Sequence, residues 1–275
     1  VTAEPQLFEL HELARERGID GYRLLSKAEL LEAVGDLPPP GPTVVETAAV
    51  RDGLAVLMLR GQGGENALAL ETLEQLADEV ERLAADESVR MIAITGSGSR
   101  IFCSGADLER VRELPGKEVT ERGSRACDRI AAAAVPTVAL MNGHAVGGGI
   151  DLALSCDWRI AAQGAKLRFI HNELGYCPPW GGAQRLSRLL GAGAALRLFA
   201  TCDLLSADEA RTTGLVDAVL PREKLLGRAE SMAGKVARAG REAVSATKAL
   251  LGETAATGHE PAFAALWDAN ATMQA

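Results

Sequence analysis

Aromatic residues are scarce, at 4% of the 275 residues, and histidine and cysteine number only four and five. The cysteines, Cys103, Cys127, Cys156, Cys177 and Cys202, are odd in number and form no close pair. That spacing suits reduced thiols in a cytoplasm and excludes a disulfide framework. Neither HExxH nor CxxC occurs, so no metal is expected. No apolar run reaches membrane-spanning length before Gly, Pro or a charge interrupts it, which argues against a transmembrane helix. The opening Val1-Thr-Ala-Glu-Pro5 lacks the basic, apolar and small-residue regions of a signal peptide. A cytoplasmic protein with no membrane partner is therefore expected. Positive charge is also in deficit. Lys+Arg number 29 against 37 Asp+Glu, a formal net charge of -8, which makes a nucleic-acid surface unlikely as the main business. What is abundant is apolar surface, 47% of residues, too much for disorder. The length allows one large domain or two ordinary ones.

Proline is concentrated in one place. Leu37-Pro-Pro-Pro-Gly-Pro-Thr43 packs four prolines into seven residues, which reads as a stiff extended linker. It sets residues 1–36 apart as a small helix-turn-helix module, residues 37–43 as the linker and residues 44–275 as the main domain. In the module, Leu7, Leu10, His11 and Leu13 share a helical face, Gly18 stops the first helix, and Ser26 with Glu29 has the spacing of a capping box before a second helix. Beyond Val44, strands and helices alternate. Apolar runs at 54–59, 90–95, 137–141 and 158–161 have strand length. Residues 71–85 have helical periodicity, with Leu73, Leu76, Val80 and Leu83 on one side. Residues 118–134 and 149–156 also read as helical, and helices dominate after Trp180 apart from 215–220. Repeated βα units predict an α/β fold with buried, largely parallel strands.

Two segments that follow strands can carry chemistry. One is Ile101-Phe-Cys-Ser-Gly-Ala-Asp-Leu108; the other is Asn142-Gly-His-Ala-Val-Gly-Gly-Gly-Ile-Asp151. Three consecutive glycines at a strand-to-helix turn let a ligand approach the backbone, and the following helix offers free N–H groups and the positive end of its dipole. Such a turn holds a negative oxygen, but the Walker A and GxGxxG patterns are absent. On the glycines alone, a tight-packing turn with no ligand is an equal reading.

Together the two segments resemble the crotonase, or enoyl-CoA hydratase/isomerase, superfamily. So do Trp180-Gly-Gly-Ala-Gln-Arg-Leu-Ser-Arg-Leu-Leu-Gly191 and Leu205-Ser-Ala-Asp-Glu-Ala210 with Gly214-Leu-Val216. Order and spacing match over about residues 50–220. The resemblance implies a spiral of repeated ββα units, with C-terminal helices used for oligomerisation into trimers or hexamers. It implies acyl thioesters of coenzyme A, or of a carrier protein, as substrates; coenzyme A comes as part of the substrate and no other cofactor is needed. It places the two backbone N–H groups that stabilise a thioester enolate on Ala106 and Gly148. One such donor is worth about 2.7–4 kcal/mol in a comparable oxyanion hole. It also puts main chain near Ser104, Ala106 and Leu108, together with Asn66 and Ala67, beside the coenzyme A moiety. Gly147, Tyr176 and Trp180 complete the expected substrate contacts.

The chain departs from a typical hydratase at the two glutamates that orient a water. Asp151 stands at one and His171 at the other. Two carboxylates tuned apart in pKa suit acid and base work on water; an Asp/His pair can move protons with different geometry. The string from Leu167 to Gly182, including Arg168-Phe-Ile-His171, Glu173 and Trp180-Gly-Gly182, is similar to the ethylmalonyl-CoA decarboxylase branch, as is Trp267-Asp-Ala-Asn270. That branch implies decarboxylation of a malonyl-type thioester. The Ala106/Gly148 hole would hold the enolate, and His171, oriented by Asp151, would deliver the proton. Phe169, Tyr176 and Trp180 would line the pocket. His144 is expected to pack behind the glycine turn, Glu173 to pair with Arg168 or Arg185, and Cys103 and Cys177 to serve as small packing groups.

The leading expectation is thus a lyase that decarboxylates an α-carboxyacyl thioester. A hydratase, isomerase or C–C hydrolase using Asp151 and His171 is the alternative, and a non-catalytic acyl-CoA-binding partner of a biosynthetic complex is a third. Residues 1–36 resemble the Rho-termination-factor N-terminal-like or SAP-like module. Eight carboxylates against four cations give them a net charge of -4, which would repel a phosphate backbone. Docking to a protein partner is the expectation there.

Overall fold

The computed structural model describes residues 43–61, 65–111, 114–175 and 177–257. The module expected over 1–36, the proline-rich run, Tyr176 and the Trp267–Asn270 ending lie outside the described residues. The chain begins with an antiparallel pair, β1 (Val44–Arg51) and β2 (Leu54–Arg60), and helix α1 (Leu70–Ala85) follows. Three units of the same plan then repeat. The first is β3 (Met91–Gly96), β4 (Ile101–Cys103), the short α2 (Leu108–Val111) and α3 (Gly116–Ala131). The second is β5 (Thr137–Met141), β6 (His144–Val146) and α4 (Gly148–Ser155). The third is β7 (Trp158–Ala162), β8 (Lys166–Arg168) and α5 (Gly182–Leu190).

In each unit the first strand joins a large sheet and the second a small one, so the chain winds as a spiral of ββα turns. Among the described residues the large sheet runs β1-β2-β3-β5-β7-β10 and the small one β4-β6-β8-β9. The remaining strands and α-helices are α6 (Ala192–Thr201), β9 (Leu204–Ser206), α7 (Ala207–Thr212), β10 (Ala218–Leu220), α8 (Leu225–Ala239) and α9 (Arg241–Thr257), with a short 3-10 turn at Arg222–Lys224. No helix among the described residues is long and apolar enough to cross a membrane.

The long strands β2, β3, β5 and β7 pair in parallel. They are covered on both faces, so each is a near-continuous apolar run rather than an alternating one. Thr137 to Met141 is buried at every position. The expected runs at 54–59, 90–95, 137–141 and 158–161 fall on these four strands, and the expected helix at 71–85 on α1. Its Leu73, Leu76, Val80 and Leu83 are buried.

The small sheet is where expectation and structure part. The FCSGADL and NGHAVGGG segments contain β4 and β6 rather than merely following strands. Strands of three residues hold too few side chains to show a period, and they form because β4, β6 and β8 pair side by side in parallel. Likewise 215–220 yields a strand only at Ala218–Leu220, and β9 interrupts the helices that were expected to dominate.

Candidate active site

The strand-to-helix turn after β6 positions the site. Gly147 has φ +50 and ψ −121, outside the range of ordinary residues, and α4 starts at the next residue. Gly105, in the SGADL segment, also has positive φ, at +106. A methyl group built on it would sit 2.8 Å from Val146 O and 3.2 Å from Gly148 N, so only glycine lets the two segments touch.

The small sheet explains why Ala106 can donate. Leu68 bridges Ala106 in parallel; Leu68 N–H donates to Gly105 O (2.8 Å) and Asp107 N–H to Leu68 O (2.9 Å). In that pattern Ala106's own N–H points away from Leu68, toward the space where β6 would continue. There β6 has already turned into α4. Gly148 is the first residue of α4, and first-turn N–H groups have no intrahelical acceptor. A methyl built on Gly148 would lie 3.2 Å from Ala106 N, so the two segments bring these backbone donors side by side. Neither N–H has an acceptor among the described residues.

Asp151 stands one turn along α4 and is 0% exposed. His171, in the turn after β8, is 6% exposed, and its Nε2 is 3.4 Å from Asp151 Oδ2. That is ion-pair range but too long for a good hydrogen bond. The same Nε2 would be 3.9 Å from a methyl on Gly147. Among the described residues, the buried side-chain polar atoms without a hydrogen bond are the two carboxylate oxygens of Asp151 and the two ring nitrogens of His171. Such atoms are rare and costly, and their concentration in one pair beside two free N–H groups points to a function.

Several neighbours hold this pair. The His171 ring lies 5.8 Å from that of Phe199, which packs edge-on against Phe169 at 5.1 Å. Gly182 abuts Asp151 so closely that a methyl there would be 1.8 Å from Oδ1. Phe199 was not foreseen, since α6 shows only an apolar helix in sequence. Gly182 lies in the Trp-Gly-Gly string, but nothing in that string says which side chain it faces. Buried Cys127 also lies near Asp151. Burial pushes its thiol up to about 12, and Ser155 pulls against this. Burial likewise raises Cys103 to about 12. Neither thiol supplies a thiolate nucleophile.

The other expected residues distribute around this centre. Trp180 is 1% exposed and stands behind Gly148 rather than in an open cleft. The Asn66 side chain is occupied: it accepts from Gly61 N–H and Ser97 Oγ and donates to the carbonyls of Ser97, Ile101 and Phe102. It clamps the loop beside SGADL, and only the backbone of Asn66 and Ala67 is left to meet a ligand. Ser104 N–H donates to Glu65 O, while Ser104, Ala106 and Leu108 are half-buried. His144 accepts from Lys166 N–H at Nδ1 and so ties β6 to β8. Glu173 pairs with Arg168 at 2.6 Å, and Arg185 pairs with Asp128 instead. Cys177 is exposed, a correction to its expected packing role.

Known proteins are similar to this chain over most of its length. The family described as Enoyl-CoA hydratase/isomerase matches residues 49–274. A crotonyl-CoA hydratase from Syntrophomonas wolfei subsp. wolfei is 40% identical over 203 residues, 73% of this chain and 78% of that protein. A short-chain-enoyl-CoA hydratase from Clostridium acetobutylicum is 34% identical over 186 residues, 66% of this chain and 71% of that protein. The crystal structure of an enoyl-CoA hydratase from Bacillus anthracis superposes with a TM-score of 0.76 at 30% identity, covering 84% of this chain and 90% of that one. With the spiral of ββα turns and a match over most of its length, the chain belongs to the enoyl-CoA hydratase/isomerase family.

Proposed function

We propose that the protein moves protons at the carbons next to the carbonyl of an acyl-CoA thioester, with addition of water to a 2-enoyl-CoA as its reaction. The observation that carries this is the buried Asp151–His171 pair, unsatisfied at all four polar atoms among the described residues, beside the N–H groups of Ala106 and Gly148, which have no acceptor there either. The thioester oxygen would sit between the two donors. Charge developing there as the double bond is attacked is met by dipoles already in place. His171 takes a proton from water as its oxygen bonds to the β-carbon. Asp151 stabilises the imidazolium and keeps the ring aimed. The same proton then closes the α-carbon, so water is added with no net charge left behind. Apo contacts of this type are often loose and tighten around substrate, which suits the 3.4 Å separation.

The relatives named above are hydratases, which favours water addition over the decarboxylation expected from the Leu167–Gly182 string. One observation keeps decarboxylation as a second reading. His171 replaces a carboxylate, so the pocket carries one negative charge fewer and would better admit an α-carboxylate. The two readings separate by direct assay. Crotonyl-CoA should lose its enoyl absorbance and gain the mass of water. Malonyl-, methylmalonyl- and ethylmalonyl-CoA should be recovered intact. Loss of CO2 from any of these, with crotonyl-CoA untouched, would reverse the order. Tight binding of acyl-CoA without turnover of any thioester would favour a non-catalytic partner.

A further inference from the structure

We infer that Trp180 is a specificity-determining residue: its indole fills the space beyond the thioester carbonyl and restricts the site to short acyl chains. This rests on Ala106 and Gly148 being the oxyanion donors. The ring is wedged between two glycines on different helices. A methyl on Gly148 would lie 2.5 Å from Trp180 Cζ3 and 3.0 Å from Cε3, so the six-membered edge rests on the residue that carries a donor N–H. At the opposite edge a methyl on Gly123 of α3 would lie 2.0 Å from Nε1 and 2.2 Å from Cδ1. The indole thus spans the whole gap from α4 to α3, and no smaller side chain would.

It is also held in place. Nε1–H donates to Val119 O at 3.3 Å. The Trp180 carbonyl accepts from Arg185 Nη1 at 2.9 Å, and Arg185 is in turn paired with Asp128 of α3. The indole therefore cannot swing aside for a long chain without breaking its hydrogen bond to Val119 O. Burial shows which way a substrate must lie. Ser104, Ala106 and Leu108 are half-buried, whereas Trp180, Asp151, Phe169 and Phe199 are buried. A thioester with its oxygen at the donors and its coenzyme A moiety on the half-buried side directs its acyl chain toward the indole.

The test is binding of saturated thioesters, which needs no turnover. Butanoyl-, octanoyl- and dodecanoyl-CoA would be titrated calorimetrically into the full chain, its Trp180→Leu variant and its Trp180→Phe variant. Thermal melts would check that each is folded. The wild type should bind butanoyl-CoA about tenfold or more tightly than octanoyl-CoA, the scale set by methylenes that do not fit a pocket. In Trp180→Leu that ratio should fall to about one or invert, with Trp180→Phe in between. A purely structural tryptophan would weaken all three thioesters alike, and an unchanged ratio in a folded variant overturns the inference. If Trp180→Leu does not fold, Trp180→Phe decides by the same ratio. A wild type that binds octanoyl-CoA as tightly as butanoyl-CoA overturns it as well. Failure of the folded wild type to bind any of the three would instead overturn the placement of the site.

Discussion

At the scale of single residues, stability is given up at Asp151 and His171, where a buried donor or acceptor left unpaired costs about 1–3 kcal/mol. His171→Gln keeps the size and a donor but cannot carry the proton. It should lower kcat about 10²–10⁴-fold with a melting temperature close to wild type, by steady-state kinetics and calorimetry. Gly182→Ala tests the pair from behind. The added methyl would meet Asp151 Oδ1 at 1.8 Å, so the carboxylate must move. A displacement near 1 Å should cost about 10²-fold in kcat/KM, and unchanged kinetics in a folded variant would contradict the placement of Asp151. His144 bears on pH instead. Burial, then Lys166 and Arg100, hold its ring below the ordinary 6.5. The unfolded chain therefore takes up a proton first as pH falls. The stability linked to His144 is present in full above 6.5 and is lost progressively below it. His144→Gln should flatten that part of the stability profile in denaturant titrations just below neutrality.

At the scale of elements, the helices are joined by two kinds of contact. Between α1 and α3 the buried apolar faces meet, and a row of ion pairs closes the rim: Arg122 with Glu71 and Glu74, and Arg129 with Asp78 and Glu81. These pairs are partly exposed and each is worth at most about 1 kcal/mol. Helix α9 is attached differently, through polar groups that reach the carbonyls at the ends of other helices. Arg241 donates to Ala84 O in the last turn of α1, and to Asp86 O and Val89 O beyond its end, these two each at 2.6 Å. Lys248 reaches Val135 O at 3.1 Å and Asp157 at 2.7 Å. Cations at helix C-termini meet the negative end of the dipole. Arg241→Ala should destabilise the protein by about 2 kcal/mol and leave kcat unchanged, since none of these groups touches the Asp151–His171 pair. A loss of activity at equal stability would show that α9 reports to the site.

For the whole molecule, the remaining apolar surface is uneven. Leu189, Leu196 and Leu204 are 40%, 68% and 52% exposed within a short stretch of chain, and Leu226 and Leu251 are 47% and 68% exposed. Val44, Val50 and Leu174 are exposed as well, and exposed apolar side chains of this number leave room for a subunit interface. We expect the chain to assemble as a trimer or hexamer through its C-terminal helices. Light scattering at micromolar concentration should give that mass, and a monomer would contradict it.

Much of this was legible along the chain because the physics involved is local. Buried parallel strands must be apolar throughout, so β2, β3, β5 and β7 show as runs. Helix α1 must bury one face, so its leucines recur at helical spacing. The glycines that admit Ala106 N and Gly148 N to one place are visible because no other residue takes those conformations or allows that approach. The three-residue strands were not legible, because they exist only through pairing with one another. Nor was the difference between Asn66 as a ligand and as a clamp. The Asn66 side chain is spent on loop carbonyls. A side chain's choice of partner depends on where distant loops arrive. The same holds for Asp151 and His171, twenty residues apart in the chain. Sequence marked each as a departure from two glutamates, but only the winding of β6–α4 against β8 brings Nε2 and Oδ2 together and strips both of other partners. Tertiary packing likewise decided Trp180. Its place in the chain marked it as a contact, but its role follows from two glycines on two helices that leave an indole-sized gap.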